Sequence, residues 1–381
     1  MKKNILNIKR YKLNFYIDNN PEWGGTYQYT NLLIKAVEQK FDKKNINYFY
    51  INKTGKKKSK LKNHYVRINF FQFILTQILI FFNLKKLSLI FSKFKILNLP
   101  KNFFDINEYW IFPSQDLVSV LCGGKSIVSI NDLMHRYSNF PETSSFLRKI
   151  YRDYLFGKIA KYSHRVLVDS KLGKKHVIDS YGKYNNIRVQ YFSTIPQTFK
   201  NIKKKDKYII YPAQFWEHKN HKNLILAMNI LKKKYKKIKL LLIGHKKKNY
   251  YKLKELVNEL NLNKNIKFIG YVSELKKANL IKNARGLINA SFLGPTNIPQ
   301  LEGFFYGCPV ILSNVFAHKE QCGDSAIYFN PNIKEQIANA IERIWISDQL
   351  FKQYKNKSAK MAKKYSLKNF SSDLVVNIFK N

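Results

Sequence analysis

Short runs of apolar residues alternate along this chain with longer stretches whose apolar residues recur at helical spacing. In the first half, this pattern predicts strands near Asn14–Ile17, Tyr48–Ile51, Tyr109–Phe112, Ser126–Ile130, Arg165–Asp169 and Ile187–Tyr191. It predicts helices near Tyr27–Phe41, Ile68–Phe82, Ser144–Lys161 and Lys171–Tyr181. Strands that alternate with helices are typical of βαβ units, whose strands run parallel.

The second half shows the same alternation more clearly. It predicts strands at Tyr208–Tyr211, Lys239–Ile243, Ile266–Tyr271, Gly286–Ala290, Pro309–Ser313 and Ala326–Phe329. The predicted helices are His221–Tyr235, Tyr250–Leu260, Glu274–Asn283, Pro299–Tyr306, Ile333–Ile346 and Asp348–Tyr365. Between the two halves, the polar, Lys-rich residues 196–207 are typical of a linker.

The pattern therefore predicts an α/β protein of two doubly wound domains, residues 1–195 and 208–366, with a cleft between them. The amphipathic segment within residues 367–381 is expected to pack back on the first domain. A length of 381 residues agrees, since one domain takes roughly 100–200 residues. A hydrophobic content of 45% excludes a disordered chain.

The chain carries a formal net charge of +45, from 69 basic and 24 acidic residues. Such a surface attracts polyanions such as nucleic acid, anionic lipid or phosphorylated substrates. Only 9 of the basic residues are Arg and 60 are Lys, so the codon usage of a low-GC genome is an alternative explanation. The scarcity of Arg argues against specific nucleic-acid binding, because the guanidinium group makes the bidentate contacts.

The cysteines Cys122, Cys308 and Cys322 do not form a paired framework, and their spacing does not fit zinc. A reducing, cytoplasmic location is therefore expected. The N-terminal residues lack the apolar core of a signal peptide. The segment Ile68–Phe82 is 15 residues long, short of the ~20 that span a bilayer, and predicts a buried or interfacial helix.

A glycine pair follows the first predicted strand and opens a helix, in the string WGGTYQYT. At Gly24 and Gly25 the backbone could approach a ligand closely, with N–H groups facing an anion. The alternative is a plain strand-to-helix turn. The string is not the dinucleotide fingerprint GxGxxG.

A dense polar cluster follows the buried strand Ser126–Ile130, in the string SINDLMHRYSNFPET. It includes Asp132 and His135, and a strand end is where such side chains can converge on a ligand. The alternative is a loop whose acidic and amide groups only make turns.

Two segments of the second half also follow strands. In AQFWEHKNHKN, Lys219 precedes a helix and could neutralise a diphosphate. In SFLGPTNIPQLEGFFYGCP, the N–H groups of Thr296–Ile298 and the helix dipole would form an anion seat. Glu302 follows in the first turn, where a carboxylate can accept two hydroxyl hydrogen bonds from a ribose. The alternative is that Glu302 is only a favourable first-turn acid.

Taken in order, these segments resemble the retaining GT-B glycosyltransferases of family 4, also called glycosyl transferases group 1. The strings that carry the resemblance are GGTYQYT, INDLMHRYSNFPET, RVLVDSKLGKKHVIDSYG, YPAQFWEHKNHKNLILA, IKFIGYVS and GPTNIPQLEGFFYGCPVILS. The last string resembles a GPTN-type subgroup used in the assembly of bacterial surface polysaccharides.

The resemblance implies a GT-B fold of two Rossmann-like domains, with a nucleotide sugar bound in the C-terminal one. It implies that Lys219 neutralises the diphosphate and Glu302 holds the ribose. Donor contacts are implied for Gly24, Gly25, Gly294, Thr296, Asn297 and Ile298, and catalytic roles for Lys219, Asp132 and His135. The nucleotide sugar is a substrate, so neither a cofactor nor a metal ion is expected.

The chain departs from the family pattern at three places. The two-glutamate signature has seven residues between its acids, and counting back from Glu302 reaches Gly294. The His that usually precedes Asp132 is replaced by Asn131, and the position of a common Arg before Lys219 holds Gln214 or Ala213.

The leading hypothesis is therefore transfer of a sugar to a saccharide or lipid-linked saccharide, in the synthesis of O-antigen, lipopolysaccharide or capsule. Because the run LKKLSLIFSKFKIL is basic and amphipathic, peripheral binding to an anionic inner membrane surface is a further expectation. The alternatives are a catalytically degenerate GT-B glycan-binding or scaffold protein, and another GT-B enzyme such as an epimerase.

Overall fold

The computed structural model of the chain describes residues 11–18, 24–51, 63–66, 68–141, 145–197, 207–294 and 297–380. Two compact units divide the chain. The first unit comprises Met1–Leu133, Leu147–Tyr191 and Leu367–Asn381, and the second unit comprises Met134–Phe146 and Phe192–Ser366. The segment Met134–Phe146 lies in the second unit, although it follows a strand of the first unit. The hydrophobic pattern does not predict this placement.

The first unit contains a parallel seven-stranded sheet in the order β3-β2-β1-β4-β5-β6-β7. Its strands are β1 (Leu13–Ile17), β2 (Ile46–Ile51), β3 (Asn63–Val66), β4 (Tyr109–Phe112), β5 (Lys125–Ile130), β6 (Arg165–Val168) and β7 (Ile187–Val189). Every residue of β1 is buried, because β1 lies between β2 and β4. The order reverses between β1 and β4.

The second unit contains a parallel six-stranded sheet in the order β10-β9-β8-β11-β12-β13. Its strands are β8 (Ile209–Pro212), β9 (Leu240–Ile243), β10 (Ile266–Gly270), β11 (Gly286–Asn289), β12 (Val310–Ser313) and β13 (Ala326–Phe329). The order reverses between β8 and β11. The loops that follow these two strands therefore meet at the switch point, where ligands bind in doubly wound folds.

The helices are α1 (Gly25–Glu38), α2 (Phe70–Phe81), α3 (Lys85–Lys93), α4 (Met134–Tyr137), α5 (Phe146–Tyr162), α6 (Lys171–Tyr181), α7 (His221–Lys234), α8 (Tyr250–Glu259), α9 (Glu274–Lys282), α10 (Ile298–Phe305), α11 (His318–Cys322), α12 (Lys334–Ile346), α13 (Asp348–Lys364) and α14 (Leu367–Phe379). Short 3-10 turns occupy Lys43–Asn45, Lys101–Phe104, Leu117–Leu121 and Glu217–Lys219.

Helices cover both faces of the second sheet. Ile209 and Tyr211 of β8 pack with apolar residues of α7 and α12. Tyr208 and Ile210 point to the opposite face and pack with residues that include Ile281 of α9. Because both faces of the sheet are buried, its strands are continuous apolar runs. The predicted α/β, doubly wound architecture is confirmed.

Helix α14 packs within the first unit. The Ser371 hydroxyl donates to Gln39 Oε1 at 3.0 Å, and the Asn377 amide donates to the Val189 carbonyl at 2.9 Å. Within the described residues, no helix is long and apolar enough to cross a membrane. The predicted segment Ile68–Phe82 forms α2, which begins at Phe70 with an Asn69–Gln72 capping box.

Candidate active site

Hydrogen bonds join the loops after β8 and β11 at the switch point of the second sheet. The Phe292 N–H donates to the His218 carbonyl at 2.8 Å, and the Asn220 side-chain amide donates to the Ala290 carbonyl at 3.0 Å. Asn220 adopts a left-handed conformation with φ 56°, which ends the 3-10 turn and starts α7. The two loops are therefore held together at the switch point by hydrogen bonds.

Lys219 lies in the loop after β8, at the end of the 3-10 turn Glu217–Lys219. Its backbone carbonyl accepts a hydrogen bond of 2.8 Å from the buried Tyr211 hydroxyl. The positive charge of Lys219 also acts on two buried histidines. Burial, together with the positive charge of Lys219, lowers the pKa of His221 to about 3 and that of His318 to about 4. Lys219 therefore supplies a positive potential at this end of the sheet.

The loop after β11 brings Gly294 and Asn297 into contact. Gly294 has φ +118°, a conformation that favours glycine. A Cβ atom on Gly294 would lie 2.6 Å from Nδ2 and 3.0 Å from Oδ1 of Asn297. The Asn297 carboxamide therefore occupies the space into which a side chain at position 294 would project.

Asn297 is the N-cap residue of α10, but its side chain makes no capping hydrogen bond. An N-cap Asn normally accepts from a backbone N–H of the first turn, a contact that contributes about 1 kcal/mol. Asn297 Nδ2 lies instead 2.9 Å from His318 Nε2. The first-turn N–H groups of α10 are thus not capped by Asn297, which fits an anion seat.

His318 is fully buried and its tautomer follows from its contacts. Its Nδ1 lies 2.8 Å from the Ser313 carbonyl oxygen, which can only accept, so Nδ1 carries the proton. With a pKa lowered to about 4 by burial, the ring is neutral at pH 7 and Nε2 is an acceptor. Asn297 Nδ2 therefore donates to His318, and this bond fixes the orientation of the carboxamide.

A buried network of amide side chains is hydrogen-bonded to the start of α10. Gln321 Oε1 accepts from Gln300 Nε2 at 2.7 Å, and Gln321 Nε2 donates to the Asn297 carbonyl at 3.2 Å. Asn289 Nδ2 donates to Gln300 Oε1 at 3.2 Å. Because these groups satisfy one another, β11, α10 and α11 form a rigid base for the loop.

Glu302 lies beyond the first turn of α10, and not in the first turn as expected, because the helix already begins at Ile298. It is buried, and its carboxylate pairs with Lys277 of α9 at 2.8 Å. The Lys277 side chain is 12% exposed, and the Glu302 side chain is 7% exposed. Burial alone would lower the pKa of Lys277, but the carboxylates of Glu302 and Glu274 outweigh it and raise the pKa. Lys277 therefore stays charged at physiological pH.

The other predicted residues lie elsewhere. Gly24 caps α1 with φ 60° and ψ −107°, which requires glycine, and Gly25 is exposed. Both belong to the first unit. Asp132 is exposed after β5 in the first unit, whereas His135 is buried in α4 of the second unit. Their catalytic roles stay predictions.

Lys219, Gly294, Asn297, Ile298 and Glu302 all lie in the second unit, in the loops after β8 and β11 or in α10. Thr296 lies outside the described residues. Sequence reasoning did not identify Lys277, His318 or Gln321. Lys277 is one of 60 lysines, and only its burial against Glu302 distinguishes it. Within the described residues, no group of three His, Cys, Asp or Glu side chains could hold a metal ion.

Comparison with solved structures identifies the fold class. Sucrose-phosphate synthase from Thermosynechococcus elongatus superposes with a TM-score of 0.73 at 15% identity, over 96% of this chain and 98% of that one. WaaG, a glycosyltransferase involved in lipopolysaccharide biosynthesis, has a TM-score of 0.72 at 12% identity, over 97% and 100% of the two chains. The fold is therefore GT-B, as the sequence resemblance implies.

Comparison of sequences finds similarity that is concentrated in the C-terminal half. Residues 195–365 match the family described as glycosyl transferases group 1. The O-antigen chain mannosyltransferase RfbU of Salmonella typhimurium is 25% identical over 218 residues, which cover 57% of this chain and 60% of RfbU. The capsular polysaccharide biosynthesis glycosyltransferase CapH of Staphylococcus aureus is 26% identical over 244 residues, 63% of this chain and 67% of CapH.

Proposed function

We propose that this protein is a retaining, metal-independent, hexosyl-type glycosyltransferase of bacterial surface-polysaccharide synthesis. It moves a sugar from a nucleotide-sugar donor to a saccharide or a lipid-linked saccharide. One observation carries the proposal: Lys219 lies in the loop after β8, α10 follows β11 without a cap bond from Asn297, and the strand order reverses between β8 and β11. The functions of RfbU and CapH support the choice of O-antigen, lipopolysaccharide or capsule as the product.

The charge at the switch point suits a diphosphate leaving group. When the bond between the anomeric carbon and the diphosphate breaks, negative charge develops on the phosphate oxygens. Lys219 and the N–H groups of α10 stabilise that charge, so the chemistry needs no metal ion. The acceptor oxygen bonds to the anomeric carbon, and its proton passes to a phosphate oxygen. Asp132, His135, Gly24 and Gly25 are also proposed to contact the reacting groups.

Glu302 is proposed to hold the ribose of the nucleotide. A carboxylate has about four lone-pair sites, so the ion pair with Lys277 leaves capacity to accept hydrogen bonds from two hydroxyl groups. The ion pair with Lys277 fixes the position of the Glu302 carboxylate.

A second candidate function is a degenerate GT-B protein that binds a glycan or a partner without transfer. Gly294 favours it, because the first acid of the two-glutamate signature is absent there. Thermal-shift measurements against UDP-, GDP- and dTDP-sugars, followed by assays for product, separate the two. Stabilisation by a nucleotide sugar followed by turnover supports the transferase, whereas stabilisation by glycans alone supports the degenerate protein.

Binding to an anionic membrane surface is the further part of the proposal. Several large apolar side chains of α2 and its C-cap are exposed: Phe70, Phe71, Phe73, Ile74, Ile78, Phe81 and Phe82, here called the apolar patch. Helix α5 lies beside them, because the Tyr154 hydroxyl donates to the Phe81 carbonyl at 2.8 Å. The exposed basic residues Lys86 and Lys93 follow the patch along the chain, in α3. An exposed apolar surface next to basic residues suits an anionic bilayer.

A further inference from the structure

A cavity of about 500 Å³ lies beside the N-terminal end of α7 and along α8. Ligand pockets in proteins commonly measure about 300–1,000 Å³, so the cavity has the size of a ligand site. Its lining includes Asn223 of α7, the N-cap residue Asn249 of α8, and Leu253 and Leu256 of α8. Every lining residue belongs to the second unit.

The cavity and Glu302 lie on opposite faces of the second sheet. Leu253, which lines the cavity, packs on the face that α7 and α12 cover. Glu302 pairs with Lys277 of α9, and α9 covers the other face through Ile281. The cavity is therefore separate from the place proposed for the ribose of the nucleotide.

Aromatic side chains form one part of the lining. The rings of Phe140 and Phe292 are stacked, with centroids 5.5 Å apart and an interplanar angle of 20°. Trp216 also lines the cavity, and its Nε1–H donates to Gln214 Oε1 at 2.8 Å, which fixes the indole. All three rings are partly exposed, so they present flat apolar surface to a ligand.

The charge of the lining differs from that of the chain. Three acids and two bases line the cavity, namely Glu217, Glu255, Glu259, Lys222 and Lys252. The whole chain has 69 basic and 24 acidic residues. Because like charges placed side by side cost free energy, the carboxylates do not suit a nucleotide or an anionic lipid headgroup. The lining fits an uncharged ligand better than a polyanion.

The polar groups of the lining indicate the chemistry of that ligand. Asn223 Nδ2 donates to the Pro331 carbonyl at 3.0 Å, so its Oδ1, an acceptor, is the end left for a ligand. The carboxylates are acceptors as well. His221, which is buried and lines the cavity, has neither ring nitrogen at hydrogen-bond geometry with a described residue. A ligand rich in hydroxyl groups would match these acceptors and could reach an imidazole nitrogen.

We propose that this cavity binds a neutral saccharide, at a glycan site separate from the donor site. The C–H faces of the sugar rings pack on Trp216, Phe140 and Phe292. The sugar hydroxyl groups donate to the carboxylates and to Asn223 Oδ1, because a hydroxyl group can both donate and accept. The site holds a segment of a glycan on the second unit and takes no part in the transfer reaction.

The test measures binding of neutral trisaccharides by calorimetry, with mannotriose, maltotriose and cellotriose as probes. Trp216→Ala is expected to weaken binding of the probe that the wild type binds most tightly at least tenfold, because the indole surface is lost. The matched control is Tyr251→Ala, an exposed aromatic residue of α8 that does not line the cavity. It should change the same affinity less than twofold.

A second variant keeps the inference falsifiable if Trp216→Ala unfolds. Glu255 and Glu259 are exposed, so the double variant Glu255→Gln/Glu259→Gln should fold, and it is expected to weaken the trisaccharide at least threefold. Its control is Glu335→Gln, an exposed acid on α12. Equal affinities in the wild type and the lining variants would overturn the inference.

Two other results would also overturn the inference: no binding of any trisaccharide to the wild type, or tighter binding of trilysine than of every trisaccharide. The inference and the proposed function can fail separately. Trisaccharide binding that depends on Trp216, in a protein that binds no nucleotide sugar, would support the glycan site and contradict the transferase.

Discussion

The Lys277 ammonium lies 2.8 Å from the Glu302 carboxylate, with both side chains buried between α9 and α10. Lys277 also contacts Glu274 at 2.8 Å, so one lysine joins two acids. The arrangement fixes the carboxylate that the proposal assigns to the ribose.

Removal of Lys277 should therefore destabilise the fold and the site together. Breaking a buried pair costs about 3–5 kcal/mol, because one charge is left buried without its partner. Lys277→Met should lower the free energy of unfolding, measured in urea, by an amount in this range. The double variant Lys277→Met/Glu302→Gln should recover much of that loss without recovering donor binding. If the double variant lost as much stability as the single variants Lys277→Met and Glu302→Gln together, a direct coupling of the two side chains would be contradicted.

Lys219 should be distinguishable from the many other lysines. Lys219→Ala is expected to lower turnover at least tenfold, which corresponds to ~1.4 kcal/mol, because the leaving diphosphate loses its nearest cation. The matched control is Lys222→Ala, an exposed lysine three residues further on. Initial rates with a fixed donor measure both. Similar rates for the two variants would mean that Lys219 contributes only net charge.

The stability of the second unit should fall in mild acid. His318 is buried and its pKa is lowered to about 4, so between pH 6.5 and pH 4 the unfolded chain binds a proton that the folded chain does not. The neutral His318 contributes its full share of the free energy of unfolding above pH 6.5. This share is lost as the pH falls toward 4, at up to about 1.4 kcal/mol per pH unit. Urea unfolding of His318→Gln from pH 7 to 4 should show a shallower slope than that of the wild type. An unchanged slope would contradict the neutral, buried assignment.

The apolar patch should determine membrane binding. Replacing Phe71, which is 66% exposed, by Ser removes apolar surface whose burial is worth about 1.5–3 kcal/mol. Phe71→Ser should weaken sedimentation with phosphatidylglycerol vesicles about tenfold. The control is Tyr251→Ser, also 66% exposed but located on α8 of the second unit. If wild-type binding to phosphatidylcholine and phosphatidylglycerol vesicles is equal, or Tyr251→Ser has the same effect as Phe71→Ser, the surface is wrongly assigned.

Much of the fold could be predicted from the hydrophobic pattern, because buried parallel strands are continuous apolar runs. The strands Tyr109–Phe112 and Ala326–Phe329 and the helix Lys171–Tyr181 were predicted with the bounds observed. Strand β3 was missed, since its residues NHYV are not an apolar run and lie after a Lys-rich stretch. Helix α11 was missed because its polar residues HKEQC resemble a surface loop.

The site was predictable only where its residues form a motif. Lys219 and Glu302 follow strands at spacings that the family resemblance identifies. His318 and Gln321 lie on a different strand-to-helix connection, and their role depends on burial and hydrogen-bond direction, which a single sequence does not contain. The sequence shows that Gly294 stands where the family signature has its first acid. Only the structure shows that the Asn297 carboxamide lies within 3.0 Å of where a Cβ atom at this position would be.

The most direct test of the account is NMR detection of the glycoside formed from a nucleotide sugar and a saccharide acceptor. Incubation of the wild type with the nucleotide sugar that binds best should give a product with the anomeric configuration of the donor. In the same assay, Glu302→Ala should be at least tenfold slower than the wild type. Treatment of the wild type with EDTA should leave its rate unchanged. A product of inverted configuration would contradict the retaining mechanism, and the absence of any product would contradict the transferase assignment.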